Sequence, residues 1–208
     1  VATTFVVPWN ASQKRTSTMP LTDVELCSAA LVKIGAAVIT SFEDETAEAD
    51  VAMRLYELTL QGLITSHPWH FTLAQAELAA LEEAPQAGFS RVFALPQDAL
   101  RTISAGADSR ATGSIYHVAG SRLFADASRI FLSYQRRPAT SEFPPFFVQA
   151  FIARLAAEFC LPLTEGTSRS EVLYKLAAAE LRVAKLADSQ QATPRAVDDF
   201  TLIMARSR

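Results

Sequence analysis

The chain predicts an α+β fold, mainly α: a bundle of about four helices with a small antiparallel β-sheet inserted between two helical pairs, and extended arms at both ends. Three observations predict it. Apolar residues recur at helical spacing over 22–35, 47–65, 145–160 and 168–189. Between about 89 and 135 the pattern changes to short alternating or β-branched runs. Residues 1–20 and 192–208 sustain neither period, so the expected organisation is an arm, one domain over 21–191, and a second arm. A fold built from these 208 residues buries about 70% of the surface its unfolded chain exposes, which is enough core without staples.

Residues 1–20, VATTFVVPWNASQKRTSTMP, are rich in Ser, Thr and Pro and read as an extended N-terminal arm. Asn10-Ala11-Ser12 matches a glycosylation sequon, but Phe5 to Val7 is too short for the apolar core of a signal peptide, so the match reads as chance. No run of 18 apolar residues occurs, and no membrane span is expected. A cytoplasmic or particle-bound location follows as the expectation.

The first helix begins at Thr22-Asp23-Val24-Glu25, a capping box, and continues through Val24, Cys27, Leu31 and Ile34 to a stop at Gly35. Acidic residues from Glu43 to Glu45 lead into the second helix, where carboxylates favour a helix start through the dipole. There Val51, Leu55, Leu58 and Gly62 line one face with Tyr56, Leu60 and Leu63 beside them, an arc broad enough to predict a central helix. Five runs then predict strands: Phe89–Leu95, Arg101–Ser104, Ser114–Ala119, Arg122–Ala125 and Arg129–Gln135. A hairpin turn is expected at Gly120-Ser121, and Ile130, Leu132 and Tyr134 share one face of the last strand.

Pro144-Pro145 opens the third helix, where the first-turn amides have no partner to lose. Phe147, Ala150, Phe151 and Leu155 give it an aromatic face, and Pro162 is expected to end it. Ser168-Arg169-Ser170-Glu171 reads as a second capping box, followed by Val172, Leu176, Ala179, Val183 and Leu186 at four-three-four-three spacing, a seam suited to burial against another helix. After Pro194, Phe200, Leu202, Ile203 and Met204 stand among Arg195, Arg206 and Arg208, a composition that fits a segment folding on a partner.

The net charge of −3 weighs against tight binding to nucleic acid phosphates, which clustered Lys and Arg would drive by counterion release. A helical DNA-binding regulator is therefore disfavoured. Cys27 and Cys160 sit inside apolar helical patterns and are expected as reduced core thiols. His67-Pro68-Trp69-His70 places two histidines three apart, but without a Cys, Asp or Glu at ligand spacing; Trp69 and Phe71 are expected to plug the bundle where it meets the sheet. The carboxylates from Glu43 to Asp50 match no calcium loop, no G-x-S-x-G elbow occurs, and Gly113 and Gly120 are isolated. No catalytic, cofactor or metal residue is assigned. A small enzyme using the His67/His70 region stands as the alternative to a structural role.

Several segments, taken in order, carry a resemblance. They are Leu26 to Gly35, Ser41-Phe42 with Thr46-Ala47-Glu48-Ala49, His67 to Phe71, Phe93 to Asp98, Tyr116 to Asp126, Phe143 to Cys160 with Leu161-Pro162-Leu163-Thr164, and Asp188 to Gln191. Together they resemble the head-to-tail connector (adaptor) proteins of tailed bacteriophages, the group that includes tail tubular protein A and relatives in siphophages and gene transfer agents. The likeness spans about Leu21 to Gln191.

It implies a non-enzymatic virion protein of the head-tail neck, assembled in the host cytoplasm as a ring, typically of twelve copies. Such a ring sits under the portal protein, extends a channel through which double-stranded DNA passes without sequence specificity, and carries the next neck or tail component: a nozzle, stopper or tail tube. By that likeness Arg195, Phe200, Leu202, Ile203, Arg206 and Arg208 would dock on the portal. Tyr116, His117, Ser121, Arg122 and Phe124 of the hairpin would face the tail, at the end opposite the arm. A ring built head to tail uses two different surfaces of each subunit, so the chain alone is expected as a monomer or weak oligomer.

Overall fold

The structure, a computed structural model, describes residues 21–83 and 88–191. It is α+β, mainly α. Helices α1 (Asp23–Ile34) and α2 (Ala47–Thr65) precede strands β1 (Leu73–Glu77), β2 (Ala80–Leu81), β3 (Arg91–Ala94), β4 (Ala99–Gly106), β5 (Tyr116–Ala119), β6 (Arg122–Ala125) and β7 (Phe131–Arg136); α3 (Pro145–Thr164) and α4 (Thr167–Ser189) close the fold. Both predicted arms lie outside the described residues.

The helix starts follow local chemistry. Thr22 Oγ1 accepts from the Glu25 amide while Glu25 Oε2 accepts from the Thr22 amide at 2.7 Å, the expected capping box, and Gly35 ends α1 in the left-handed region at φ 73°. Thr46 caps α2 through the Ala49 amide. Two expected boundaries are corrected. Pro162 does not end α3, which runs to Thr164; so close to the terminus it forfeits one backbone bond, and the Thr164 hydroxyl covers the Cys160 carbonyl at 2.6 Å. The second capping box does not form, because α4 starts one residue earlier behind Gly166, with no side-chain cap.

The central helix is α3, not α2 as the broad apolar arc predicts. Phe147, Ala150, Phe151, Leu155 and Phe159 are buried, and α1, α2 and α4 all pack against α3. By length and composition α3 alone among the described residues could cross a membrane, but its buried face makes it the core of this bundle. The Phe147 and Phe151 rings stand 6.0 Å apart, with Tyr56 edge-on to Phe151 at 5.4 Å. Cys27 and Cys160 are buried free thiols, and burial pushes Cys27 up to about 12, out of reach of ordinary thiol chemistry.

The β region is larger than expected and forms two antiparallel sheets, β1-β7-β4 and β2-β3-β6-β5. Strands β1 and β2 are absent from the sequence expectation. Their residues, LAQAE and AL, have weak strand propensity, and pairing with β7 and β3 makes them strands. The expected hairpin is present: β5 and β6 pair across Gly120-Ser121, with Tyr116 opposite Ala125 and Val118 opposite Leu123. Ile130, Leu132 and Tyr134 face the second core beside Phe93 and Leu123. Gly106 ends β4 where the chain folds back so tightly that a Cβ would lie 2.3 Å from the Thr112 nitrogen, a position only glycine can fill.

Candidate functional site

The joint between bundle and sheets gathers the polar residues that sequence reading singled out. Trp69 is fully buried, donating its indole N–H to the Leu63 carbonyl at 3.0 Å and meeting Phe147 edge-on at 5.1 Å. It plugs the joint as expected, with Phe71 against Phe147 at 4.9 Å. Gln135 reaches in from β7, and its amide nitrogen contacts the carbonyls of Ile64 at 2.9 Å and His67 at 2.7 Å. Sheet and helix end are thereby held together.

The histidines have a partner that spacing could not reveal. Asp188, fully buried near the end of α4, accepts from the His70 amide at 3.1 Å and lies 3.0 Å from His70 Nδ1 and 3.4 Å from His67 Nε2. Both imidazoles converge on the same carboxylate oxygen, so Asp188 is the acceptor that locks α4 onto the end of α2. Burial pushes His67 below the usual imidazole range, opposed in part by Asp188. Among the described residues no group of His, Cys, Asp or Glu side chains is arranged to hold a metal ion. A carboxylate-oriented imidazole is half of an acid-base device. The nearby Ser66 hydroxyl, however, donates to the Leu63 carbonyl rather than to either ring.

Of the hairpin residues assigned to the tail-facing surface, His117 and Ser121 are exposed at its tip and edge. Arg122 is exposed too, and is engaged by Glu83 through bonds of 2.6 and 2.8 Å. Tyr116 is half-buried, while Phe124 is buried in the sheet and is removed from that surface. Arg195, Phe200, Leu202, Ile203, Arg206 and Arg208 lie outside the described residues. The root of that arm is placed: Asp188 fixes the end of α4 beside His67 and His70, where the sheets join the bundle. α4 therefore ends at the same end of the bundle as the β region.

The α4 row expected in the core is outside it, and the α2 row is only partly inside: Val51 and Leu55 pack on the core while Leu58 is exposed. On α4 the row Val172, Leu176, Val183 and Leu186 is 46% to 63% exposed, and Ser170, Ala177, Ala184 and Asp188 are buried instead. The cause is the surface α4 meets: Ala177 packs on Ala153 and Ala157 of α3, an approach too close for Leu or Val. On α2, Leu58 is 70% exposed, and the row Leu55, Leu58 and Gly62 walls an open groove bounded by Arg154 and Glu158 of α3 and Leu181 of α4. Sequence periodicity found both rows; it put the α4 row on the wrong side, whereas on α2 the arc it read is buried through Tyr56, Leu60 and Leu63 and only Leu58 faces outward.

Compared with known proteins, the chain matches no family model and no curated protein.

Proposed function

We propose that the chain is a structural head-to-tail adaptor of a tailed phage or phage-like particle. It forms a ring under the portal, extends the DNA channel and carries the next neck or tail component. The observation that carries this reading is the exposed apolar row of α4, with Leu58 exposed on α2, on an otherwise well-packed bundle. A monomeric bundle has no use for such a row, whereas a subunit that meets neighbours in a ring needs apolar contact surface. The arrangement of one helical pair, a β region and a second helical pair agrees with the resemblance carried by the sequence.

Portal docking falls to the C-terminal arm and tail contact to the hairpin tip at His117, Ser121 and Arg122. α4 ends at the β end, so a portal partner at the far end lies about one helix length away from it. α4 is about 35 Å long, and the residues beyond Gln191 span more than about 50 Å when extended.

Co-expression with the portal protein of the same genome, followed by size-exclusion chromatography, tests the reading. Full-length chain should co-elute with portal rings, and a chain lacking 193–208 should not. Failure of the full chain to associate overturns the adaptor role; undiminished binding of the shortened chain overturns the docking arm. An enzyme built on His70 draws on its contact with Asp188 alone. We assign that contact to holding α4 in place.

A further inference from the structure

We propose that His67 is a relay: its engagement with Asp188 couples the β region to the end of α4, so that a change in one alters the hold on the other. The inference needs no part of the adaptor reading.

His67 is gripped from two elements at once. Its carbonyl accepts from the Gln135 side chain of β7 at 2.7 Å and from the Trp69 amide at 2.9 Å, while its ring Nε2 lies 3.4 Å from Asp188 Oδ2 on α4. Gln135 and Asp188 share no hydrogen bond with each other. Both are fully buried, where polar contacts act at low dielectric and a group left unpaired is costly. A displacement of either side chain therefore reaches His67 before it reaches water.

The grip of Gln135 is directional. Its N–H groups face the Ile64 and His67 carbonyls, which can only accept, and among the described residues its Oε1 has no partner. Turning the amide over would set oxygen against oxygen, so β7 holds the end of α2 in one orientation.

The grip of Asp188 is divided. Oδ1 accepts from the His70 amide at 3.1 Å, whereas Oδ2 faces both rings. Asp188 can therefore lose the His67 ring and keep α4 in place through His70. The ring has two settings: against Asp188, or turned towards the solvent to which its side chain is already 25% exposed. A two-setting group between two buried anchors is what a coupling requires. Gln135 also reaches the Thr72 hydroxyl at 3.1 Å, but that turn is pinned to the core, with Phe71 4.9 Å from Phe147 and the Thr72 hydroxyl donating to the Trp69 carbonyl. By reciprocity, a partner that shifts β7 loosens the last turn of α4, and one that draws on α4 loosens β7.

Native-state hydrogen exchange on the full-length chain tests the relay. Rates are referred to the α3 amides around Leu155, so that a loss of overall stability is subtracted. Asp188→Asn keeps an oxygen for the His70 amide and sets a donor against both rings; it should speed exchange in β7 around Gln135 by at least about threefold. Gln135→Met should do the same to Lys185–Asp188 in α4. Arg129→Ala, which breaks an exposed pair with Glu77 beside β7, should leave α4 unchanged. In a His67→Ala background, Asp188→Asn should no longer affect β7. Effects confined to the element that carries the substitution overturn the proposal. So does an effect of Asp188→Asn on β7 that survives in His67→Ala, which would route the link through His70. Should Gln135→Met fail to fold, the Asp188→Asn comparison decides alone.

Discussion

Helices α3 and α4 lie side by side and use their apolar residues in opposite ways. α3 turns Phe147, Phe151, Leu155 and Phe159 into the core, whereas α4 presents Ala177 and Ala184 inward and carries Val172, Leu176, Val183 and Leu186 on its outside. The difference teaches that apolar periodicity reports how many faces a helix can bury, and that size decides which face a given neighbour accepts. Where Ala153 and Ala157 set a close approach, small residues win the inner position. The larger ones are left exposed on the outer face.

The comparison can be broken most forcefully at the core. Phe151→Ala removes a fully buried ring packed among Tyr56, Phe143 and Phe147 and should cost about 3–5 kcal/mol in denaturant unfolding. A loss under about 1 kcal/mol would mean that α3 is not the centre of the bundle. Next comes the lock on α4. Asp188→Ala leaves the part-buried His70 amide without its acceptor and should cost about 1–3 kcal/mol, with that amide losing protection from hydrogen exchange.

Acid should act through the same joint and the surface pairs. His67 is held below its ordinary value, so the fold favours the neutral ring. Its contribution is complete above the unfolded value near 6.5 and is lost as pH falls below it. Glu142 is held at about 2 by Arg136 and the Ala139 amide, so its contribution is present above about 4.5 and is lost as pH falls towards 2. Denaturant midpoints should therefore be flat from pH 8 to about 6.5 and decline below that; a midpoint rising on acidification contradicts both assignments.

The smallest effects sharpen the contrast on the outer surfaces. Gly62→Ala should stabilise the isolated chain by about 0.5–1 kcal/mol, since alanine is the better helix former and open space receives the methyl. Leu176→Ala should change stability by less than about 0.5 kcal/mol, measured beside Phe151→Ala. A large loss at Leu176 would place the α4 row in the core after all.

Much of the architecture was legible because its signals are local. The box at Thr22 and Glu25, the stop at Gly35, the hairpin turn at Gly120-Ser121 and the aromatic face of α3 each depend on residues within one or two turns of one another. The missed strands β1 and β2 lack such signals, since their partners β7 and β3 make them strands. The site around His67 and His70 was half visible. The histidines stood out, but Asp188 lies more than a hundred residues away and joins them only when α4 returns along α3.

By itself, the sequence determined the fold class, the four helices and the hairpin, because helix and strand periods and capping chemistry are written in neighbouring residues. Tertiary structure decided which rows were buried, that α3 sits at the centre, that Asp188 meets the histidines and that α4 ends beside the β region. Those outcomes depend on close packing between elements distant in the chain, where the width of an alanine or a leucine sets the distance of approach.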